Sequence, residues 1–312
     1  AKIIIGASIM TIISLFILVI AIGIHTPQFL QMSTFIIIAE DTATLFIMST
    51  GIFFVIMLGG IDLSVQSIAS LCSVILALCL PLFGYYSFFI AILIGSLFGL
   101  ISGYFHVTLK IPSFIATLAT GGIAASLSLV ITNASSIQIL QKEKHYITWI
   151  TDTSFYIPNE ILVSLTILVL CSFLINFTKF GRYVTSIGAG EAVAWTSGIN
   201  VKLNKYLVLI LSASLAAISG IVLSSRMSAG SPTLANEFLL PAIAAVIIGG
   251  TALTGGVGSI QRTLIGVLII SVLRIGMTFI GINIFAQQLV FGCMLIIAVA
   301  LNIDRSKIPI VK

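Results

Sequence analysis

The feature that most constrains this chain is a series of long segments without a charged residue. They cover residues 3–39, 42–61, 63–109, 111–141, 206–225, 238–261 and 275–303. A helix that crosses a bilayer needs about 20 apolar residues, so each segment accommodates at least one crossing and the longest accommodates two. The segments are apolar throughout rather than alternating, which argues against an outer-membrane barrel. The sequence therefore predicts an all-α fold, a polytopic transmembrane helical bundle.

Glycine, proline and polar clusters divide these segments into about ten predicted spans. They lie near residues 3–24, 36–58, 63–81, 86–108, 113–133, 161–177, 206–225, 238–250, 263–281 and 284–303. If the N-terminus is cytoplasmic, ten of the fourteen Lys and Arg residues fall on the inside: Lys2, Lys110, Lys179, Arg182, Lys202, Lys205, Arg262, Arg305, Lys307 and Lys312. Only Lys142, Lys144 and Arg226 fall outside, and cytoplasmic loops are the ones enriched in basic residues. We therefore expect both termini in the cytoplasm.

Residues 1–312 are expected to form one transmembrane domain with two long polar connections. The outer loop, 134–160, has a net charge of −1, whereas the cytoplasmic loop, 179–205, has a net charge of +3. Connections of this length between spans are often functional, although each could also be a simple solvated loop.

The glycines predict how some helices pack. Gly95, Gly99 and Gly103 recur every four residues in the fourth span, so they share one helix face that allows close approach of another backbone. Residues 58–64 and 248–254 also share an apolar-Gly-Gly-x-x-Leu-hydroxyl pattern. Two structurally related halves would explain this similarity, and so would chance in a chain with 26 glycines.

The sequence has none of the patterns expected of an enzyme. It lacks H-E-x-x-H, G-x-S-x-G and the phosphate-loop pattern, and its four cysteines and three histidines have no metal-ligand spacing. Its basic residues act as topology signals rather than as a nucleic-acid surface, so no nucleic acid is expected as a partner. We therefore predict no catalytic residue, no metal and no cofactor bound by this chain.

Four charged residues lie within or next to predicted spans, where such groups are usually functional. Asp62 follows two glycines and is expected to cap a helix that begins at Leu63. Glu40 and Asp41 are expected to oppose the dipole at the start of the second span. Arg274 lies within a predicted span and needs a partner or a polar cavity.

Several motifs, in order along the chain, carry a family resemblance. They are Pro27-Gln28-Phe29-Leu30, Gly59-Gly60-Ile61-Asp62-Leu63-Ser64, Ile111-Pro112-Ser113-Phe114, the stretch 180–201, the stretch 239–251 and Gly255-Gly256-x-Gly258-Ser259. With this order and spacing the sequence resembles the ribose-type branch of ATP-binding-cassette (ABC) importer permeases. The resemblance covers most of the chain.

The resemblance implies a short cytoplasmic coupling helix that docks on a partner ATPase. Its pattern falls here on Gly188, Glu191, Ala192, Ala194, Ser197 and Gly198. Glu191 suits a helix start, and Gly198 can end the helix in the left-handed conformation. The alternative is a plain amphipathic helix on the membrane surface. The sequence departs from the family pattern at Gln66, where a glycine is expected, and at Trp195, where a smaller or charged residue is more usual.

The resemblance further implies the function. The chain would be the permease domain of an importer in the bacterial inner membrane that translocates a monosaccharide or similar small polar solute. Its partners would be a second permease subunit, identical or different, an ABC ATPase that uses ATP and Mg, and an extracytoplasmic substrate-binding protein, all assembled in the lipid bilayer. An ion-coupled secondary transporter is the alternative.

Five polar residues are candidates for the translocation pathway. They are Asp62, Ser64, Asn283, Gln287 and Gln288. Each could donate or accept hydrogen bonds with solute hydroxyls, and each could instead form a contact between helices.

Overall fold

The computed structural model describes residues 2–154 and 156–302, and the predicted all-α fold is confirmed. The helices are α1 (Lys2–His25), α2 (Met32–Met57), α3 (Val65–Phe83), α4 (Tyr86–Gly103), α5 (Ser113–Thr132), α6 (Thr148–Thr151), α7 (Asn159–Phe177), α8 (Lys179–Ala189), α9 (Glu191–Thr196), α10 (Val201–Met227), α11 (Leu239–Ile248), α12 (Ile260–Phe279) and α13 (Ile284–Asn302). Short 3₁₀ turns form at Pro27–Leu30 and Lys144–Tyr146, and a π-helical turn at Tyr104–Thr108 follows α4.

Seven helices in the described part of the chain, α2, α3, α4 with its π-helical turn, α5, α7, α10 and α12, are long and apolar enough to cross a membrane. Three more apolar helical stretches are shorter: Leu15–His25, Leu239–Ile248 and Ile284–Ala300. At 1.5 Å per residue α11 is about 15 Å long, half the thickness of a hydrocarbon core. The polytopic bundle is therefore confirmed, whereas the count of ten spans remains a prediction. The predicted end of the last span at 303 and the cations Arg305, Lys307 and Lys312 lie outside the described residues.

Helices α2 and α10 form the centre of the bundle. In each of these helices 72% of the apolar membrane-spanning stretch is buried, compared with 22% in α7. Helix α2 packs against α10, α12, α7 and α11, and α10 packs against α4, α3 and α2. The buried side chains of α2 include Phe46, Phe53 and Phe54, each with no exposed surface. Lipid tails are as apolar as these side chains, so close packing rather than water exclusion must hold the two helices in place.

The predicted glycine face of α4 is confirmed, and it packs against α10. A Cβ atom at Gly95 would lie 2.7 Å from the Ala217 Cβ, and one at Gly99 would lie 2.5 Å from the Leu209 carbonyl oxygen. These distances leave no room for a larger side chain, so the α4–α10 contact depends on glycine at both positions.

The two Gly-Gly segments end α2 and α11 in the same way. Gly59 (φ +79°) and Gly250 (φ +80°) both have the left-handed conformation that ends a helix. The amide of Gly60 donates to Val55, and the amide of Thr251 donates to Val246. The structural match pairs Gly59 with Gly250, which is one residue away from the alignment of the two sequence patterns. A shared way of ending a helix accounts for the similarity.

The bundle has two distinct ends. At the first, which we call the Gly188 end, the residues after α2 and α11 meet α8. At the second, the Arg274 end, the predicted outer loop is more ordered than a simple loop. Its strand β1 (Ile137–Gln138) pairs antiparallel with β4 (Ala229–Gly230), and β2 (Thr153–Ser154) pairs with β3 (Ile157–Pro158).

Replacing Gly99 with Leu should destabilise the bundle, because the larger side chain must displace the α10 backbone at Leu209. Overpacking of this kind typically costs about 1–3 kcal/mol or more. Gly122 on α5 is the matched control, since a Cβ there would meet nothing within 4 Å. Thermal unfolding of the detergent-purified proteins should show a clear loss for Gly99→Leu only. Equal melting temperatures for the two variants would contradict the assigned α4–α10 contact.

Candidate functional site

The predicted cytoplasmic loop folds as two helices, α8 and α9, at the Gly188 end. Thr178 caps the start of α8, because its hydroxyl accepts a hydrogen bond from the Gly181 amide. One face of α8 packs on the bundle through Val184 and Ile187, both buried. The rings of Phe180 and Phe54 lie 6.0 Å apart, so α8 directly contacts the central helix α2.

Gly188 lies where three segments of backbone meet. A Cβ atom at this position would overlap the Met57 carbonyl oxygen at the end of α2 and would also clash with the amide nitrogen of Gly256. The Met57 carbonyl accepts a hydrogen bond of 2.9 Å from that same amide. We call Met57, Gly188, Gly255 and Gly256 the backbone junction. It connects α8 to α2 and to the segment between α11 and α12.

Helix α9 begins at Glu191 and is followed by Gly198, whose φ of +81° is the left-handed conformation expected from the sequence. Glu191 forms an ion pair of 2.7 Å with Lys205, which ties the start of α9 to α10. Ala194 is buried beside Ile187 and Val201. The other predicted coupling residues, Ala192, Ser197 and Gly198, are exposed.

Two apolar side chains of α9 that are absent from the predicted set project from the surface. Val193 is 70% exposed and Trp195 is 71% exposed. Beside them is a concavity of about 630 Å³ lined by Glu191, Ala192, Trp195, Ile199, Asn200, Val201 and Lys202. Exposed aromatic side chains next to a concave surface are typical of protein interaction sites. The departure of Trp195 from the family pattern was the sequence signal for this surface.

Asp62 is buried in the connection between α2 and α3, and its role differs from the predicted cap. One carboxylate oxygen accepts hydrogen bonds from the amide (2.9 Å) and hydroxyl (2.6 Å) of Ser64. The other accepts from the Ser212 hydroxyl of α10 (2.7 Å). Helix α3 begins only at Val65, so Asp62 forms a turn before the helix rather than capping its first turn. Burial raises the pKa of the Asp62 carboxyl, and the hydrogen bonds from Ser64 and Ser212 act in the opposite direction.

The rest of this connection is held by α5. The Ser113 hydroxyl accepts from the Ile61 amide, and the Thr117 hydroxyl accepts from the Leu63 amide. A cavity of about 370 Å³ opens beside it, lined by residues that include Gly60, His106 and the Glu191–Lys205 pair. The connection between α2 and α3 and the start of α9 therefore line the same cavity. Gln66, the other departure from the family pattern, is half-buried in the first turn of α3.

The remaining pathway candidates lie at the opposite end of the bundle, so the structure does not bring the five predicted residues together. Asn283 accepts a hydrogen bond of 2.9 Å from the Ala286 amide. Gln287 is buried, and its amide group donates to the Thr278 hydroxyl and the Ile282 carbonyl. The Gln288 amide group donates to the Glu237 carbonyl. The Asn283 and Gln287 side chains make contacts around α12 and α13, and the Gln288 side chain contacts the segment before α11.

Arg274 has the partners that its position in a span requires. Its guanidinium lies 3.2 Å from the Asp41 carboxylate and 4.0 Å from that of Glu237, and 4.2 Å from the centre of the Phe238 ring. Asp41 lies in the third turn of α2, which begins at Met32. The helix dipole acts mainly within the first turn, so the dipole interpretation of Asp41 is wrong, and the ion pair with Arg274 replaces it.

Comparisons with known proteins give matches along most of the chain. The family described as branched-chain amino acid transport system / permease component matches residues 34–299. The chain is 36% identical over 304 residues to the ribose import permease protein RbsC of Bacillus subtilis, covering 95% of this chain and 92% of the relative. It is 33% identical over 295 residues to the probable ABC transporter permease protein YphD of Escherichia coli, covering 92% and 86%.

A further relative is the D-allose transport system permease protein AlsC of Escherichia coli. It is 32% identical over 297 residues, which cover 94% of this chain and 90% of the relative. No solved structure matches the chain significantly. The chain therefore belongs to this family of transport permease components, in the ribose-type branch of the ABC permeases.

Proposed function

We propose that the chain is the membrane-spanning permease of an ATP-driven importer for a monosaccharide or a similar small polar solute in the bacterial inner membrane. The observation that carries the proposal is the backbone junction, because it joins a surface helix pair to the central helix of the bundle. ATP and Mg act in a separate ATPase, and this chain carries no hydrolytic residues of its own.

The proposed arrangement has about ten spans with both termini in the cytoplasm. The Gly188 end then faces the cytoplasm, and α9 docks on the ATPase through Val193, Trp195 and the concavity beside them. The Arg274 end, with the segment 134–160, faces the extracytoplasmic binding protein that delivers the solute. A second permease subunit, identical or different, completes the membrane part.

The backbone junction explains how ATP-driven motion can reach the pathway. Because Gly188 touches the end of α2 with no side chain between them, α8 cannot move toward α2 unless Met57 or Gly256 moves with it. Helix α2 is among the most buried helices, so its displacement also displaces the helices packed against it, α10, α11 and α12. The six predicted coupling residues therefore divide into two groups. Gly188 and Ala194 face the bundle, and Glu191, Ala192, Ser197 and Gly198 face the partner.

The names of the relatives support a sugar as the solute. Relatives similar along nearly their whole length are permeases for ribose and for D-allose, whereas the family as a whole is described by branched-chain amino acids. These relatives also favour ATP-driven import over the ion-coupled alternative. The candidate pathway residues Asp62 and Ser64 are buried and do not line the cavity of about 370 Å³ at the Gly188 end. We assign them to the support of its wall, and Asn283, Gln287 and Gln288 to the support of the outer end.

Uptake should depend on ATP and not on an ion gradient. In proteoliposomes that contain the permease, its ATPase and the binding protein, radiolabelled D-ribose should accumulate with ATP present and the gradient collapsed. Leucine in the same assay is the control for the amino acid solutes in the family description. Uptake that requires the gradient but not ATP would overturn the proposed function.

Replacing Trp195 with Ala should weaken binding of the ATPase. Exposed tryptophans at the centre of an interface typically contribute about 2 kcal/mol or more, so we expect the affinity to fall at least tenfold. Trp149 is the matched control, since it is the only other tryptophan and lies at the Arg274 end. Quantitative co-purification of the ATPase with each variant measures the effect. Equal loss for both tryptophans would contradict docking at α9.

Replacing Gly188 with Ala should separate docking from coupling. The added Cβ must push the end of α2 away from α8, while the exposed face of α9 keeps its side chains. We expect the ATPase still to co-purify and solute uptake to fall at least tenfold per ATP hydrolysed. Gly190→Ala is the control, because a Cβ there has its nearest neighbour at 3.8 Å. Normal coupling in Gly188→Ala would show that the backbone junction transmits no motion.

A further inference from the structure

A cavity of about 380 Å³ lies at the Arg274 end, between α2, α10, α12 and the segment that precedes α11. Glu40, Asp41, Arg226, Glu237 and Arg274 contribute its charged groups. Along α2, Asp41 is about 24 Å from Met57 at 1.5 Å per residue, so the cavity is well separated from the backbone junction. If the Gly188 end is cytoplasmic, this cavity opens on the side where solute arrives.

The charged groups of the cavity are held in place by ion pairs, but these pairs leave some of their polar atoms without a hydrogen bond. Arg226 lies 3.3 Å from Glu160, and Arg274 lies 3.2 Å from Asp41. In the described part of the chain, however, the second Asp41 oxygen and the Arg226 Nε make no hydrogen bond. Asp41 is only 6% exposed, and a buried carboxylate oxygen without a donor is costly. Such atoms indicate a ligand that supplies the missing partners.

The chemistry of the cavity specifies the class of that ligand. Guanidinium groups donate and carboxylates accept hydrogen bonds, whereas a hydroxyl does both. A neutral molecule with several neighbouring hydroxyls can therefore bridge both kinds of group without adding charge. An anion would be repelled by the carboxylates of Glu40, Asp41 and Glu237. A cation would be repelled by Arg226 and Arg274. Leu223 and Leu234 provide an apolar wall for the C–H face of a sugar ring. The volume is in the range that small-molecule sites usually have.

We propose that this cavity is a low-affinity receiving site for the sugar released by the binding protein, with Asp41, Glu237 and Arg274 as its hydrogen-bonding groups. The inference rests on the proposed function, whose solute class it uses. The site binds weakly, because the solute must compete with the Arg274–Asp41 pair. Weak binding lets the solute move on when the bundle changes shape.

The test uses the full chain in lipid nanodiscs without the binding protein, and D-ribose or D-allose as the probe. Saturation-transfer NMR should give a saturable signal for the wild type in the millimolar range. Asp41→Asn and Glu237→Gln keep the side-chain shape and remove the charge. We expect each variant to weaken sugar binding about tenfold, which is the usual effect of losing one hydrogen bond to a charged group.

Glu143→Gln is the matched control. Glu143 is also buried and pairs with a cation, Lys142, at 3.3 Å, but it does not line the cavity. This variant should bind sugar like the wild type. The proposal is overturned if neither sugar gives a saturable signal, if Asp41→Asn and Glu237→Gln bind like the wild type, or if Glu143→Gln loses binding equally.

Uptake by the complete complex separates this inference from the proposed function. If the site receives sugar, the KM for uptake should rise in Asp41→Asn and Glu237→Gln. A purely structural ion pair would instead reduce protein stability and leave KM unchanged. Absence of any ATP-dependent sugar uptake by the wild type would contradict the proposed function, whereas normal uptake with an unchanged KM in both variants would contradict only the receiving site.

Discussion

The hydrogen bond from the Gly256 amide to the Met57 carbonyl is the interaction on which the arrangement of the bundle depends. The last carbonyls of a helix have no partner within the helix, and in a membrane protein water cannot always supply one. Here the end of α2 is satisfied by its own glycine turn and by a segment almost 200 residues further along the chain. Gly188 touches the same atoms, so three distant segments share one position. Only residues without a side chain allow this.

The two ends of the bundle are held by different interactions, and this difference has a mechanical consequence. Contacts between backbones at the Gly188 end leave no adjustable side chain and transmit displacement directly. Ion pairs at the Arg274 end join side chains that can rotate, and their attraction falls gradually with distance rather than being lost when they move by an ångström or two. A force applied at the Gly188 end can therefore move α2 as a rigid body while the ion pairs at the Arg274 end rearrange. An importer needs this combination, since the force arrives on one side and the solute on the other.

The sequence predicted the helices well and their long-range contacts poorly. The predicted spans 113–133 and 63–81 agree with α5 and α3 within two residues, because the limits of an apolar segment are encoded locally. The glycine face of α4 was also predictable, since a repeat of four residues fixes a helix face. The local hydrogen bond from the Ser64 amide to Asp62 was predictable, whereas its other partner, Ser212, is 150 residues away and leaves no periodic signal. The pairing of Asp41 with Arg274 was missed for the same reason.

The distribution of polar groups favours a conduit driven from outside the chain. Between Asp41 and Asp62, α2 has no charged residue, and two hydroxyls in its buried middle bond to backbone carbonyls: Thr50 to Phe46 in its own helix, Ser49 to Ala242 in α11. A hydroxyl engaged in this way holds helices together and offers little to a passing solute. The charged groups that could bind a solute are confined to the ends. A solute would therefore cross the middle of the bundle with few favourable contacts, and the helices must move to let it pass. In the proposed function, the free energy for that movement enters where α8 and α9 meet the end of α2.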